Sequence, residues 1–162
     1  VILAMARMNA DHDFTYTIIG KGRERQNLQL LVKKYNLEGK VNFIEYVPHK
    51  DLADELYKHD ILIMPSYIET FGRVYFEAMA MGIPIICAKN SGIFGYFKEG
   101  EEAFSVNHKK VDDIAHLLDF LVTHENDRVR IGLQGQKLVS SFTWDDIVGK
   151  LRNIYNQAIG SK

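Results

Sequence analysis

Apolar positions along this chain keep two alternating rhythms. Phe14-Thr15-Tyr16-Thr17-Ile18-Ile19 is rich in β-branched and aromatic residues and closes on Gly20-Lys21-Gly22, which predicts a strand running into a tight glycine turn. Leu28, Leu31, Val32 and Tyr35 then fall at i, i+3, i+4 and i+7, the spacing of a helix with one buried stripe, and Gly39 ends it. A short strand is predicted over 41–44, running into Tyr46-Val47-Pro48, and Leu52, Leu56 and Tyr57 mark another short helix. Residues 61–64 are apolar on both faces, as in a parallel sheet covered on both sides, and Pro65 and Ser66 stop them. A helix follows over about 72–81 with Gly82 as its C-terminal stop. Residues 83–87 form a further buried strand, and 103–106 a brief one beyond a loop punctuated by Gly92, Gly95 and Gly100.

The remainder reads as helix. Ile114, Leu117, Leu118, Leu121 and Val122 keep helical spacing behind Asp112 and Asp113, which suit the positive end of the helix dipole. A polar helix is predicted over 127–139. Thr143-Trp144-Asp145-Asp146 resembles a capping box, with Asp where Glu is usual, ahead of Ile147, Leu151, Ile154 and Ala158. Trp144 is expected to anchor this last helix to the core. At the other end, residues 1–8 read as an amphipathic helix with Ile2, Met5 and Ala6 on one side.

Strands alternating with helices call for an α/β fold: a Rossmann-like parallel sheet with right-handed crossovers and helices on both faces. Ligands of such sheets bind outside the carboxyl ends of the strands, which directs attention to loops 20–23, 45–50, 65–72 and 88–95.

Composition narrows the function classes. The 162 residues are 46% hydrophobic and 25% charged, ordinary for one globular domain, and no apolar run reaches membrane-helix length. The net charge is −1, with no basic face that would mark a nucleic-acid binder. Cys87 is the single cysteine, so there is no disulfide framework, and the apolar opening is too short and lacks a basic leader; a cytoplasmic setting is expected.

The segment that carries candidate chemistry is Met64-Pro65-Ser66-Tyr67-Ile68-Glu69-Thr70-Phe71-Gly72-Arg73-Val74-Tyr75-Phe76-Glu77-Ala78-Met79-Ala80-Met81-Gly82. It leaves a buried strand, turns, and enters a helix at Gly72, where the amides of Gly72, Arg73 and Val74 lack intrahelical partners and can meet an anion or sugar hydroxyls. Glu69 sits just before the helix and Glu77 in its second turn. Spacing alone also allows a plain reading: Arg73 and Glu77 as a surface ion pair at i, i+4, and Glu69 as a solvated loop residue. It argues against a glycosidase pair, because one carboxylate precedes the helix and the other lies within it, so they need not converge.

Glu69, seven residues, then Glu77 within "PSYIETFGRVYFEAMAMGIPII" resembles the Glu-x7-Glu motif of the group 1 (family 4) retaining glycosyltransferases. "YTIIGKGRERQNLQLLVKKYNLEGKVNFIEYVP" is similar to that family's strand, Gly-x-Gly turn, helix and base-binding loop, and "FTWDDIVGKLRNIY" to its terminal helix, which crosses back to the other domain. The resemblance implies the C-terminal, donor-binding half of a GT-B fold. Glu77 would then take the ribose hydroxyls, Glu69 the donor sugar, and Phe71, Gly72, Arg73 and Val74 would offer amides to the sugar and distal phosphate. Tyr46 and Val47 would lie near the base, and Gly20 and Gly22 near the diphosphate. The implied substrate is a nucleotide diphosphate sugar, with a UDP-sugar the leading expectation. The implied chemistry is metal-independent transfer with retention, in polysaccharide or glycolipid synthesis. Partners would be that donor and the N-terminal acceptor domain, the latter carrying any peripheral membrane association.

Departures from the family pattern are specific. The family's first strand, with an arginine at its end and a lysine soon after, has no counterpart; Arg7 and Lys21 lie in other contexts. Glu45 stands where Gly is frequent, and Phe94-Gly95 replaces a frequent Pro-Glu. His12, His49, His59, His108, His116 and His124 lack metal-ligand spacing and read as surface or loop residues. Cys87 reads as a buried structural thiol, and Ser66 as a turn residue. The alternatives are a non-catalytic Rossmann-like nucleotide-binding module and a GT-B sugar-nucleotide epimerase or phosphorylase.

Overall fold

The computed structural model describes residues 1–9 and 12–160. In chain order they form α1 (Ile2–Met5), β1 (Tyr16–Ile19), α2 (Arg25–Lys34), β2 (Val41–Ile44), a 3-10 turn (His49–Asp51), α3 (Leu52–Leu56) and β3 (Leu62–Met64). Then come α4 (Arg73–Ala80), β4 (Ile85–Ala88), β5 (Phe104–Val106), α5 (Val111–Thr123), α6 (Glu125–Ser140) and α7 (Trp144–Gly160). The sequence places every one of these helices and strands but not the 3-10 turn, which it reads as loop, and strand ends are displaced by one or two residues where the ladder begins or stops.

All strand pairs are parallel, and the period-2 alternation of strands explains how the core divides. Ile86 of β4 and Ile63 of β3 face one cluster with Ile2, Met5, Val32, Ile114 and Leu118, under α1, α2 and α5. Ile85 and Cys87 face the opposite cluster with Leu56, Tyr75, Met79 and Ile83, under α3 and α4. Helices therefore cover both faces, as the fold class requires.

The parallel strands divide into two sheets. β1 pairs with β2, β3 with β4 and β4 with β5, giving a two-stranded and a three-stranded sheet. The facing edges of β1 and β3 are separated by a largely apolar cavity of about 440 Å³, lined by residues that include Thr17, Ile19, Ile63 and Val74. Tyr16 and Gly20 donate their amides toward β2, and Leu62 donates to Pro84 beside β4. By the alternation of a parallel ladder, Thr17, Ile19 and Ile63 turn their backbone groups into the gap. The gap has the lining of a strand position, and no backbone among the described residues bridges it.

Two further differences concern the C-terminal helices. The polar helix α6 packs closely, burying Ile131, Gly132 and Gly135. A Cβ on Gly132 would lie 1.9 Å from the Gly82 carbonyl oxygen, so this contact accepts no side chain. Trp144, by contrast, is 81% exposed, and α7 buries none of its residues. Its stripe of Trp144, Ile147, Leu151, Ile154 and Tyr155 is exposed along its length. The expected cap is present: the Thr143 hydroxyl donates to the Asp146 carboxylate at 2.6 Å and accepts the Asp146 amide at 3.2 Å.

Candidate donor-binding site at the mouth of α4

The loop between β3 and α4 is held from both sides. Gly72 caps the helix in the left-handed region (φ 73), a conformation that costs other residues strain. A Cβ there would also fall 2.4 Å from ring carbons of Tyr75. Tyr75 is fully buried and its hydroxyl donates to the Met64 carbonyl, which ties the first turn of α4 to the end of β3. Burial, followed by the neighbouring Cys87 and Glu69, raises the Tyr75 phenol well above its ordinary range, so it stays a proton donor. From behind, a Cβ on Gly92 would lie 2.0 Å from the Thr70 carbonyl oxygen, and Asn90 donates to the Tyr67 carbonyl at 3.2 Å. Phe71 stacks on Phe76 with ring centroids 4.9 Å apart, and Phe76 meets Phe142 edge-on at 5.6 Å. The bracing residues Tyr75, Asn90 and Gly92 were not legible as such in the sequence; Gly92 showed only as loop punctuation.

Within this frame the sequence-predicted residues take up distinct positions. The Glu69 carboxylate accepts the Phe71 amide at 3.4 Å and is half-buried. Phe71 and Arg73 are exposed, Gly72 is buried, and Val74 turns toward the cavity between the sheets. The first helical bond of α4 runs from the Tyr75 amide to the Gly72 carbonyl, so the amides before it precede the intrahelical ladder. Glu77 projects from the second turn, and the structure does not pair it with Arg73. The titratable side chain nearest its carboxylate among the described residues is His49, with Nε2 3.7 Å from Oε1. The plain reading of an Arg73–Glu77 ion pair therefore does not describe this helix, and His49, read as an ordinary loop residue, stands at the site.

The second wall comes from the loops after β1 and β2. Tyr46 is 66% exposed and Val47 half-buried, in the loop that leads into the turn carrying His49. Gly20 and Gly22 have no atom within 4 Å of where a Cβ would sit, which leaves open space over that turn. Lys21 reaches Glu45 at 3.8 Å, linking the two loops. Arg7 pairs with Asp112, at the start of α5. The structure thus brings Glu69, Phe71, Gly72, Arg73, Val74 and Glu77 together on one loop and helix, joins Glu77 to the β2 loop through His49, and leaves Gly20 and Gly22 at the end of the neighbouring sheet.

Comparison with known proteins supplies the deciding observation: the family described as Glycosyl transferases group 1 matches residues 1–138. The chain belongs to this glycosyltransferase family. An uncharacterized glycosyltransferase of Methanocaldococcus jannaschii is 30% identical over 161 residues, covering 98% of this chain and 41% of that protein. The D-inositol 3-phosphate glycosyltransferase of Corynebacterium glutamicum is 29% identical over 136 residues, covering 82% of this chain and 32% of its own length. The chain therefore spans less than half of these glycosyltransferase relatives. Among solved structures, the C-terminal domain of a group 1 family protein from Francisella tularensis matches with TM-score 0.78 and 26% identity, over 87% of this chain and 76% of that one. An Anabaena protein solved with UDP-glucose matches in fold, with TM-score 0.81 and 21% identity over 96% of this chain and 44% of its own. These glycosyltransferase neighbours agree with a Rossmann-like half of a GT-B fold.

Proposed function

We propose that this chain is the donor-binding half of a retaining glycosyltransferase, and that it takes a nucleotide diphosphate sugar at the mouth of α4. The observation that carries this reading is the opening of α4 on a left-handed Gly72, with Glu69 before it and Glu77 in its second turn, at the carboxyl end of β3. Unsatisfied amides and the helix dipole favour a phosphate there. Glu77 accepts the ribose hydroxyls, for which a carboxylate has the lone pairs. Glu69 orients the donor sugar, the amides of Phe71, Gly72, Arg73 and Val74 hold the sugar and distal phosphate, Tyr46 and Val47 border the base, and Gly20 and Gly22 lie toward the diphosphate. The base is uracil in this reading, which draws support from the UDP-glucose bound by the Anabaena protein. Holding the leaving diphosphate in a preorganised field and orienting the sugar supply the rate enhancement, and no metal ion is invoked.

The rest of the enzyme lies upstream in this reading. A strand from that polypeptide fills the gap between β1 and β3, and the acceptor domain covers the apolar stripe of α7. The acceptor belongs to polysaccharide or glycolipid synthesis.

Calorimetry with UDP, GDP and ADP tests the proposal. Heat of binding is expected with UDP, and Glu77→Ala should weaken it strongly while leaving the fold intact by circular dichroism. Absence of heat with all three nucleotides would overturn the donor-site reading. The isolated chain is also expected to transfer little sugar by itself; turnover at rates ordinary for enzymes would refute the division of labour between the two halves.

A further inference from the structure

We infer that His49 is a positioning residue for Glu77, and that this pair sets how strongly the site prefers a ribonucleotide; the inference rests on the donor-site reading above. His49 begins the 3-10 turn after β2, behind Pro48, whose ring fixes the backbone at φ −57. Glu77 stands on α4, which belongs to the other sheet. Their contact, with imidazole Nε2 3.7 Å from Oε1, is therefore a direct link between the two walls of the cleft.

The chemistry of the contact suits a site that must still receive a ligand. At 3.7 Å the imidazole is just outside hydrogen-bond length, and a small side-chain rotation closes the distance. His49 is 79% exposed and Glu77 34%, so the ring approaches from solvent without enclosing the carboxylate. A single donor held against Oε1 restricts the carboxylate's rotation and leaves lone pairs for a pair of vicinal hydroxyls. An arginine would engage both oxygens at once and compete with those hydroxyls. Arg73 is at the right spacing to do so, yet is not Glu77's partner. The charged groups next to the pair along the chain are Arg73 on α4, Lys50 and Asp51 on the His49 turn, and Glu45, paired with Lys21, at the start of the β2 loop.

The test compares UDP with 2′,3′-dideoxy-UDP, titrated into the wild-type chain and into His49→Ala, His49→Gln and Glu77→Ala. Wild type should prefer UDP clearly. His49→Ala should weaken UDP about fivefold to tenfold, the scale of one lost hydrogen bond, and change dideoxy-UDP less than about twofold. His49→Gln keeps a donor at similar reach and should retain most of the preference. Glu77→Ala should erase the preference, and adding His49→Ala to it should change nothing more. Equal weakening of both nucleotides by His49→Ala, or no change in either, would overturn this inference while leaving the donor site standing. A wild-type chain that binds neither nucleotide overturns the donor-site reading together with it.

Discussion

β1 and β4 are both four-residue parallel strands, yet they sit in different worlds. Ile85, Ile86, Cys87 and Ala88 of β4 are all completely buried, whereas no residue of β1 is. β4 has a paired strand on each edge and helices on each face; β1 has one partner, and its other edge looks into the 440 Å³ gap. The difference teaches how the candidate site is built. Glu69, Gly72 and Glu77 rest on the well-covered sheet, while His49, Tyr46 and the glycine turn rest on a two-stranded ribbon of the kind that is marginal by itself.

The strongest test of that contrast is a pair of truncations followed by urea unfolding. Ile86→Ala should cost about 2–5 kcal/mol, the usual loss for a buried aliphatic, and Ile18→Ala on β1 less than half as much. Equal losses would erase the distinction between the sheets. Tyr75→Phe comes next: it leaves the Met64 carbonyl without its donor and should lower stability by about 1–3 kcal/mol in the same assay. Gly92→Val shifts the effect from stability to the site. The added side chain meets the Thr70 carbonyl, displaces the loop before α4, and should weaken UDP about tenfold by calorimetry.

Hydrogen exchange sharpens the comparison residue by residue. Amides of Ile86 and Cys87 should exchange near the global unfolding rate, and those of Thr17 and Ile19 far sooner, because they face the gap rather than the β1–β2 ladder. If a strand fills the gap as proposed, adding it should slow Thr17, Ile19 and Ile63 selectively. The smallest expected effect is alkaline. Burial pushes the Tyr16 phenol up to about 12 and raises Tyr75 as well, so both stay neutral in the fold while the unfolded chain ionises them near its ordinary value of 10.0. The native state then binds more protons, and stability should hold below about pH 10 and fall as pH rises toward 12 in urea titrations.

How much of this was legible beforehand follows from what periodicity can encode. A stripe at helical spacing says which face is apolar, and it marked α5 and α7 alike. α5 meets its partners, burying Ile114, Ala115, Leu118 and Leu121; α7 buries none of its residues, and Trp144 stands in solvent. Whether the covering surface lies in the same chain is not written in the stripe. The gap between β1 and β3 does not show in either strand's own pattern, since each reads well locally while pairing depends on backbone far away in sequence. Only the resemblance, whose first strand has no counterpart here, left the completion of the sheet open. The polar pattern of α6 gives no sign of the close approach at Gly132, because such a contact is a property of two elements at once. The strand-to-helix segment carrying Glu69 and Glu77 was legible because its signals are local: a stop at Pro65, a glycine at the helix start, and two carboxylates at fixed offsets. His49 was not, since its only distinction is a contact made across the cleft.

Cys87 gives the site-bearing sheet a built-in clock. It is the chain's sole thiol, it lies on β4 with no exposed surface, and burial raises its ionisation above the ordinary thiol range. A labelling reagent can reach it only when the sheet parts from α4, so the speed of labelling at saturating reagent counts those partings one molecule at a time. A nucleotide that fastens the mouth of α4 should slow the count, and the ratio of the two speeds would report occupancy without touching any residue of the cleft.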